Sequence, residues 1–111
     1  MHPRLLQPVP ALLTTLAAFA AMSVAAADSG NSVLETGKKL LKESKCEACH
    51  AAKVGGDGSA IYSRKDRRVT TLSKLLPQVQ RCNSDLGLGL FPEDEAAIAA
   101  FLNATHYKFK E

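Results

Sequence analysis

The sequence predicts an all-α fold, a small domain of three to four helices. Apolar residues recur at intervals of three and four in three separate segments, and no segment alternates with the period of a strand. Neither an internal repeat nor a second domain is visible within the 111 residues.

The chain opens on a segment with its own logic. Arg4 supplies a positive start, residues 11 to 22 are apolar and uncharged, and Ala25-Ala26-Ala27 offers the small side chains a signal peptidase accepts. Residues 1–27 are therefore expected to be a cleaved signal peptide, and 28–111 the working domain of an exported, periplasmic protein. The alternative is a retained anchor, because the uncharged run from Ala11 to Ala27 is at the short limit for crossing a bilayer. After cleavage no stable membrane insertion is expected. Loss of Arg4 lowers the formal net charge from +3 to +2. That balance, with no interleaving of aromatic and basic residues, argues against nucleic acid as a partner.

Residues 28–32 are polar and expected to fray. Residues 33–46 then predict a helix, with Val33, Leu34, Gly37, Leu40 and Leu41 on one face and lysines on the other. Ser32 followed by Glu35 matches a capping box. Gly37 is costly inside a helix, by about 1 kcal/mol relative to alanine, unless another helix approaches closely there. Residues 51–69, glycine-containing and charged, predict a long loop of the kind that wraps a ligand. A phosphate loop is disfavoured, since no strand precedes the glycines and no lysine-bearing helix follows.

Residues 70–83 predict a helix capped by Thr70 or Thr71, with Leu72, Leu75, Leu76, Val79 and Cys82 on one side. Pro77 is expected to kink it or divide it in two. Residues 84–91 predict an apolar, glycine-hinged loop. The last helix starts at Pro92 with acids in its first turn, where they suit the helix dipole, and buries Ile98, Phe101 and Leu102.

The chemistry concentrates in Cys46-Glu47-Ala48-Cys49-His50, the spacing of a covalent c-type haem attachment. Two cysteines three apart on a helical turn can each add across one haem vinyl group. The following histidine is then carried under the iron as an axial ligand. Its second ring nitrogen needs an acceptor, expected to be a backbone carbonyl of the 53–60 loop. Three other readings stand beside this one. A redox dithiol calls for a βαβ pattern the chain lacks. A zinc site can be drawn from Cys46, Cys49 and His50 with Cys82 or His106, although adjacent Cys49 and His50 are awkward around one tetrahedral ion. A plain disulfide would leave one of the three cysteines over.

In "GKKLLKESKCEACH" and "FPEDEAAIAAFLN" the chain resembles a small class I cytochrome c over nearly all of residues 28–111. The resemblance implies a helical domain packed around one covalent haem c and its iron, held by Cys46 and Cys49 and ligated by His50. It also implies first and last helices that cross at a glycine and an aromatic, here Gly37 and Phe101. Two family features are missing. The position of the usual distal methionine, just before Pro92, holds Leu90 and Phe91, and the only methionines, Met1 and Met22, precede the motif. The proline that follows the haem motif in the family is also absent.

The sixth position on iron therefore falls to another residue or to none. Cys82 leads, because a nearby metal lowers a thiol's pKa. "QVQRCN" loosely resembles the segment carrying the cysteine ligand in haem subunits of thiosulfate-oxidising Sox enzymes, and this would make Arg81 a neighbour that steadies the thiolate. His106 is chemically suited but follows a helix expected to face away from the haem. Asn83, Asn103, Tyr62 and the lysines are further candidates. Arg64, Lys65, Arg67 and Arg68 are either a solvated loop or partners for haem propionates and an acidic redox protein, and Tyr62 is also a candidate propionate donor. The expected function is single-electron exchange with a redox partner, without catalysis by this chain. The alternatives are a haem-based ligand sensor and an accessory haem subunit of a sulfur-oxidising enzyme.

Overall fold

The computed structural model describes residues 8–11 and 25–110. Among these there is no strand. The regular elements are α1 (Ala25–Glu43), α2 (Cys46–Val54), a 3-10 turn (Ser59–Tyr62), α3 (Leu72–Leu86), α4 (Pro92–Leu102) and a π-helical turn (Asn103–Tyr107). The all-α expectation holds for the described residues. The segment expected to be cleaved, 1–27, lies outside them except for 8–11 and 25–27. No helix among the described residues is long and apolar enough to cross a membrane.

Three boundaries differ from the sequence-based expectation. α1 begins at Ala25 and runs straight through residues 28–32, so Ser32 is interior and caps nothing. Nothing in that stretch is strong enough to break a helix already nucleated by alanines, the best helix formers. The helix expected to reach Cys46 stops at Glu43. Lys45 adopts a left-handed conformation at φ 55°, and α2 restarts at Cys46, continuing four residues into the expected loop. α3 passes unbroken through Pro77 and extends to Leu86, where Gly87 at φ 60° ends it. Pro77 removes one ladder hydrogen bond without dividing the helix.

α4 packs most extensively against α1 and secondarily against α3. α1 and α4 cross at Gly37, against Ala97 and Phe101. A Cβ on Gly37 would lie 2.6 Å from the Ala97 carbonyl carbon and 2.9 Å from Phe101 Cβ, and would collide with the Ala97 oxygen. Leu41 from α1, Tyr62 and Val69 from the connecting segment, Leu75 and Val79 from α3, and Ile98, Ala99 and Leu102 from α4 make the buried core.

Two asparagines close the loops. Asn83 Nδ2 donates to the Leu90 carbonyl at 3.0 Å and to Glu95 Oε1 at 2.6 Å, while the Leu90 N–H donates back to Asn83 Oδ1 at 3.1 Å. These bonds hold the 87–91 loop against α3 and give the buried Glu95 carboxylate a partner. Asn103 brackets the C-terminal segment in the same way, with Phe109 N–H to Oδ1 at 2.8 Å and Nδ2 to the Phe109 carbonyl at 3.2 Å. Both amides, weighed above as metal ligands, are thus committed to bonds within the fold.

Candidate functional site

One cavity of about 400 Å³ occupies the space between α2 and α3. That is within the size range of cofactor sites. Cys46, Cys49 and His50 of α2 line it together with Cys82, Gln78 and Val79 of α3, and Leu41, Leu75, Ile98 and Leu102 contribute apolar wall. Cys82 is far from the motif along the chain, and the packing of α3 returns it to the same space. All three cysteines are free thiols.

α2 is held in place from below by the loop that follows it. Gly58 is buried at φ 85°, and a Cβ there would lie 2.7 Å from Ala51 N, 2.7 Å from Glu47 O and 2.9 Å from His50 Cβ. Only glycine permits both the conformation and the approach. In the sequence this glycine reads as one of several in a loop; in the fold it is the floor under His50.

His50 is half-buried, and its Nδ1 lies 3.1 Å from Tyr62 Oη. The partner is therefore a side chain, not the backbone carbonyl expected from the 53–60 loop. Burial lowers the His50 pKa from its ordinary 6.5, and nearby Lys53 adds to the shift. The imidazole is thus neutral at pH 7, the form that binds a metal. Burial pushes the Cys46 thiol up, with Cys82 reinforcing the shift, so Cys46 stays protonated at neutral pH.

The lowered His50 pKa sets a pH dependence. Well above 6.5 the histidine is neutral folded or unfolded and contributes no slope. As pH falls below that value the unfolded chain takes up a proton that folded His50 resists, so stability is lost until the folded imidazole also titrates. Denaturation midpoints of the ligand-free chain should fall between pH 7 and 5, and fall less in His50→Gln. Equal pH slopes in the two proteins would remove His50 from this role.

The other predicted residues separate clearly. Tyr62 is buried beneath the His50 side of the cavity, bonded to the imidazole rather than facing it across the cavity. His106, on the π-helical turn, does not line the main cavity. It stacks on the far face of Tyr62, with ring centroids 4.5 Å apart, and lines a small polar recess of about 80 Å³ with Glu47, Asp57 and Ser59. Arg64 and Arg68 line the main cavity, Lys65 is exposed, and Arg67 has a buried Nε with no hydrogen-bond partner. Arg81 also lines the cavity but makes an exposed ion pair with Asp85 at 3.5 Å. Leu88 and Leu90 line it, and Phe91 stands 67% exposed.

Gln78 is a site residue that sequence reasoning does not single out. Its Nε2 donates to Cys82 Sγ at 3.4 Å, one helical turn away on α3. The i, i+4 spacing is the available signal. The zinc alternative has no geometry behind it, since among the described residues no group of three or more His, Cys, Asp or Glu side chains is arranged to hold a metal ion. A tetrahedral ion needs such a group. A porphyrin iron does not, because the macrocycle supplies four donors and the protein only one or two. No family model, curated protein or solved structure matches the chain.

Proposed function

We propose that the chain is a monohaem c-type cytochrome of the small class I kind, exported and non-enzymatic, that exchanges single electrons with a redox protein. One observation carries this reading: two thiols three residues apart and the adjacent imidazole share one wall of a largely apolar cavity of cofactor size. The donor set fits haem c. Cys46 and Cys49 would hold the group through thioethers, each S–H adding across one vinyl with no atom lost. His50, with Nδ1 engaged by Tyr62, offers Nε2 to iron. Arg64 and Arg68 at the cavity are suited to the propionates, and the unpartnered Nε of Arg67 marks a further donor in the same segment. Bound haem supplies one-electron redox chemistry.

The chain's own residues would govern that chemistry in three ways. The neutral His50 needs no proton release before it ligates. Leu41, Leu75, Val79, Ile98 and Leu102 exclude water from the apolar wall, and lowered polarity around a redox centre shifts its potential. Cys82 stands on α3 across from α2, with Gln78 donating to its sulfur, and is the one thiol that attachment leaves unused. It would be the residue suited to serve as a second protein ligand to the iron, with Gln78 holding its sulfur at the cavity wall.

Low-temperature EPR of the oxidised protein tests this. A low-spin thiolate-type signal is expected, and Cys82→Ser should abolish it and open the iron to carbon monoxide in the reduced state. An unchanged spectrum in that variant removes Cys82 from the iron. Absence of covalent haem from protein made with a c-type maturation system rejects the whole reading.

A further inference from the structure

We propose that Tyr62 is the positioning residue of the iron ligand, fixing which His50 nitrogen faces iron and how strongly it donates. The inference rests on the haem reading above. Tyr62 is 6% exposed and forms part of the wall between the two cavities, lining both. Its hydroxyl oxygen lies 3.1 Å from His50 Nδ1. Its ring is locked by neighbours on two sides. His106 stacks at 4.5 Å with the planes 29° apart, and Tyr107 meets it edge-on at 5.6 Å and 70°. His50 itself contacts the Tyr62 ring at 86°. The hydroxyl is therefore held at one place by packing, and His106 acquires a role behind the proximal ligand rather than on the distal face.

The chemistry follows from the acceptor. A histidine bound to iron through Nε2 carries its proton on Nδ1 and must donate it. Tyr62 receives that bond as a phenol, the ordinary form of a tyrosine side chain at neutral pH. A neutral phenol draws less on the Nδ1 proton than a carboxylate does. The imidazole keeps less imidazolate character, donates less to ferric iron, and leaves the ferrous state correspondingly favoured. With no acceptor at all, the same trend goes further.

The test compares haem-loaded wild type, Tyr62→Phe and Tyr107→Phe. Tyr62→Phe keeps the ring and its stacking but deletes the acceptor. Its midpoint potential should move positive, with the ferrous-to-ferric ratio at fixed ambient potential rising on the order of tenfold. For one electron that is about 59 mV. The His50 Nδ1–H resonance of the ferrous protein should move upfield and exchange faster with solvent. Tyr107→Phe removes a hydroxyl from the same cavity wall but leaves that of Tyr62 in place, so it should shift the potential less and leave the Nδ1–H resonance unmoved. If Tyr62→Phe fails to fold, fluorotyrosine at position 62 weakens the acceptor in a nearly isosteric ring and should move the potential the same way by less. Equal shifts in both phenylalanine variants, or an unmoved potential and Nδ1 proton with the acceptor weakened or gone, overturn the proposal. A wild type without covalent haem instead overturns the reading beneath it.

Discussion

A chain carrying both Cys46→Ala and Cys49→Ala is expected to retain no haem through denaturing extraction, where the proposed function expects the wild type to retain a full complement. The two thiols lie on α2, three residues apart, and both line the cavity. Cys46 is half-buried and packs against the core, whereas Cys49 is exposed. Each single variant should keep one thioether and a reduced yield. Loss of Cys46 should be the more damaging, because it also removes packing from beneath the cavity. Cys82→Ser should keep attachment at wild-type level, since that thiol sits on α3. Pyridine haemochrome spectra of extracted protein separate these cases. Covalent haem surviving in the double variant at wild-type level would sink the assignment of both cysteines.

The second large effect concerns stability and does not depend on any ligand. Gly37→Ala should destabilise the domain by about 3 kcal/mol, a large share of the roughly 5–15 kcal/mol that holds a domain folded. Alanine improves helix propensity by about 1 kcal/mol, so the sign of the outcome is informative. The added methyl would meet the Ala97 carbonyl and Phe101 Cβ, which are backbone or rigidly attached to it, so α1 and α4 must separate. Gly30, also in α1, has nothing within 4 Å of its would-be Cβ. Gly30→Ala should therefore be neutral to stabilising. Denaturant midpoints measure both. Similar midpoints for the two variants would mean that the crossing tolerates a methyl group.

These two results draw on different kinds of legibility. The cysteine prediction comes from five consecutive residues and is readable in the amino-acid sequence alone. The glycine prediction needs the resemblance to suggest a crossing partner, and the fold to show that the partner is backbone. Helix ends are less legible. Ser32 has the chemistry of a cap but sits inside α1, and Lys45 breaks the chain in a left-handed conformation that no lysine advertises. The distal candidates are sorted by packing alone. Asn83 and Asn103 are consumed by loop hydrogen bonds, Tyr62 serves His50, and His106 stacks behind Tyr62.

The helical class and the Cys46, Cys49 and His50 constellation are thus written into the local sequence. Both depend on spacings of three or four residues, and a helical turn converts such spacings into geometry without outside help. What stands around that constellation is a matter of packing. Cys82 reaches the cavity because α3 packs beside α4, and Tyr62 reaches His50 because Gly58 lets the connecting loop press against α2. These placements depend on close approaches between distant segments, and no local pattern in the chain encodes them.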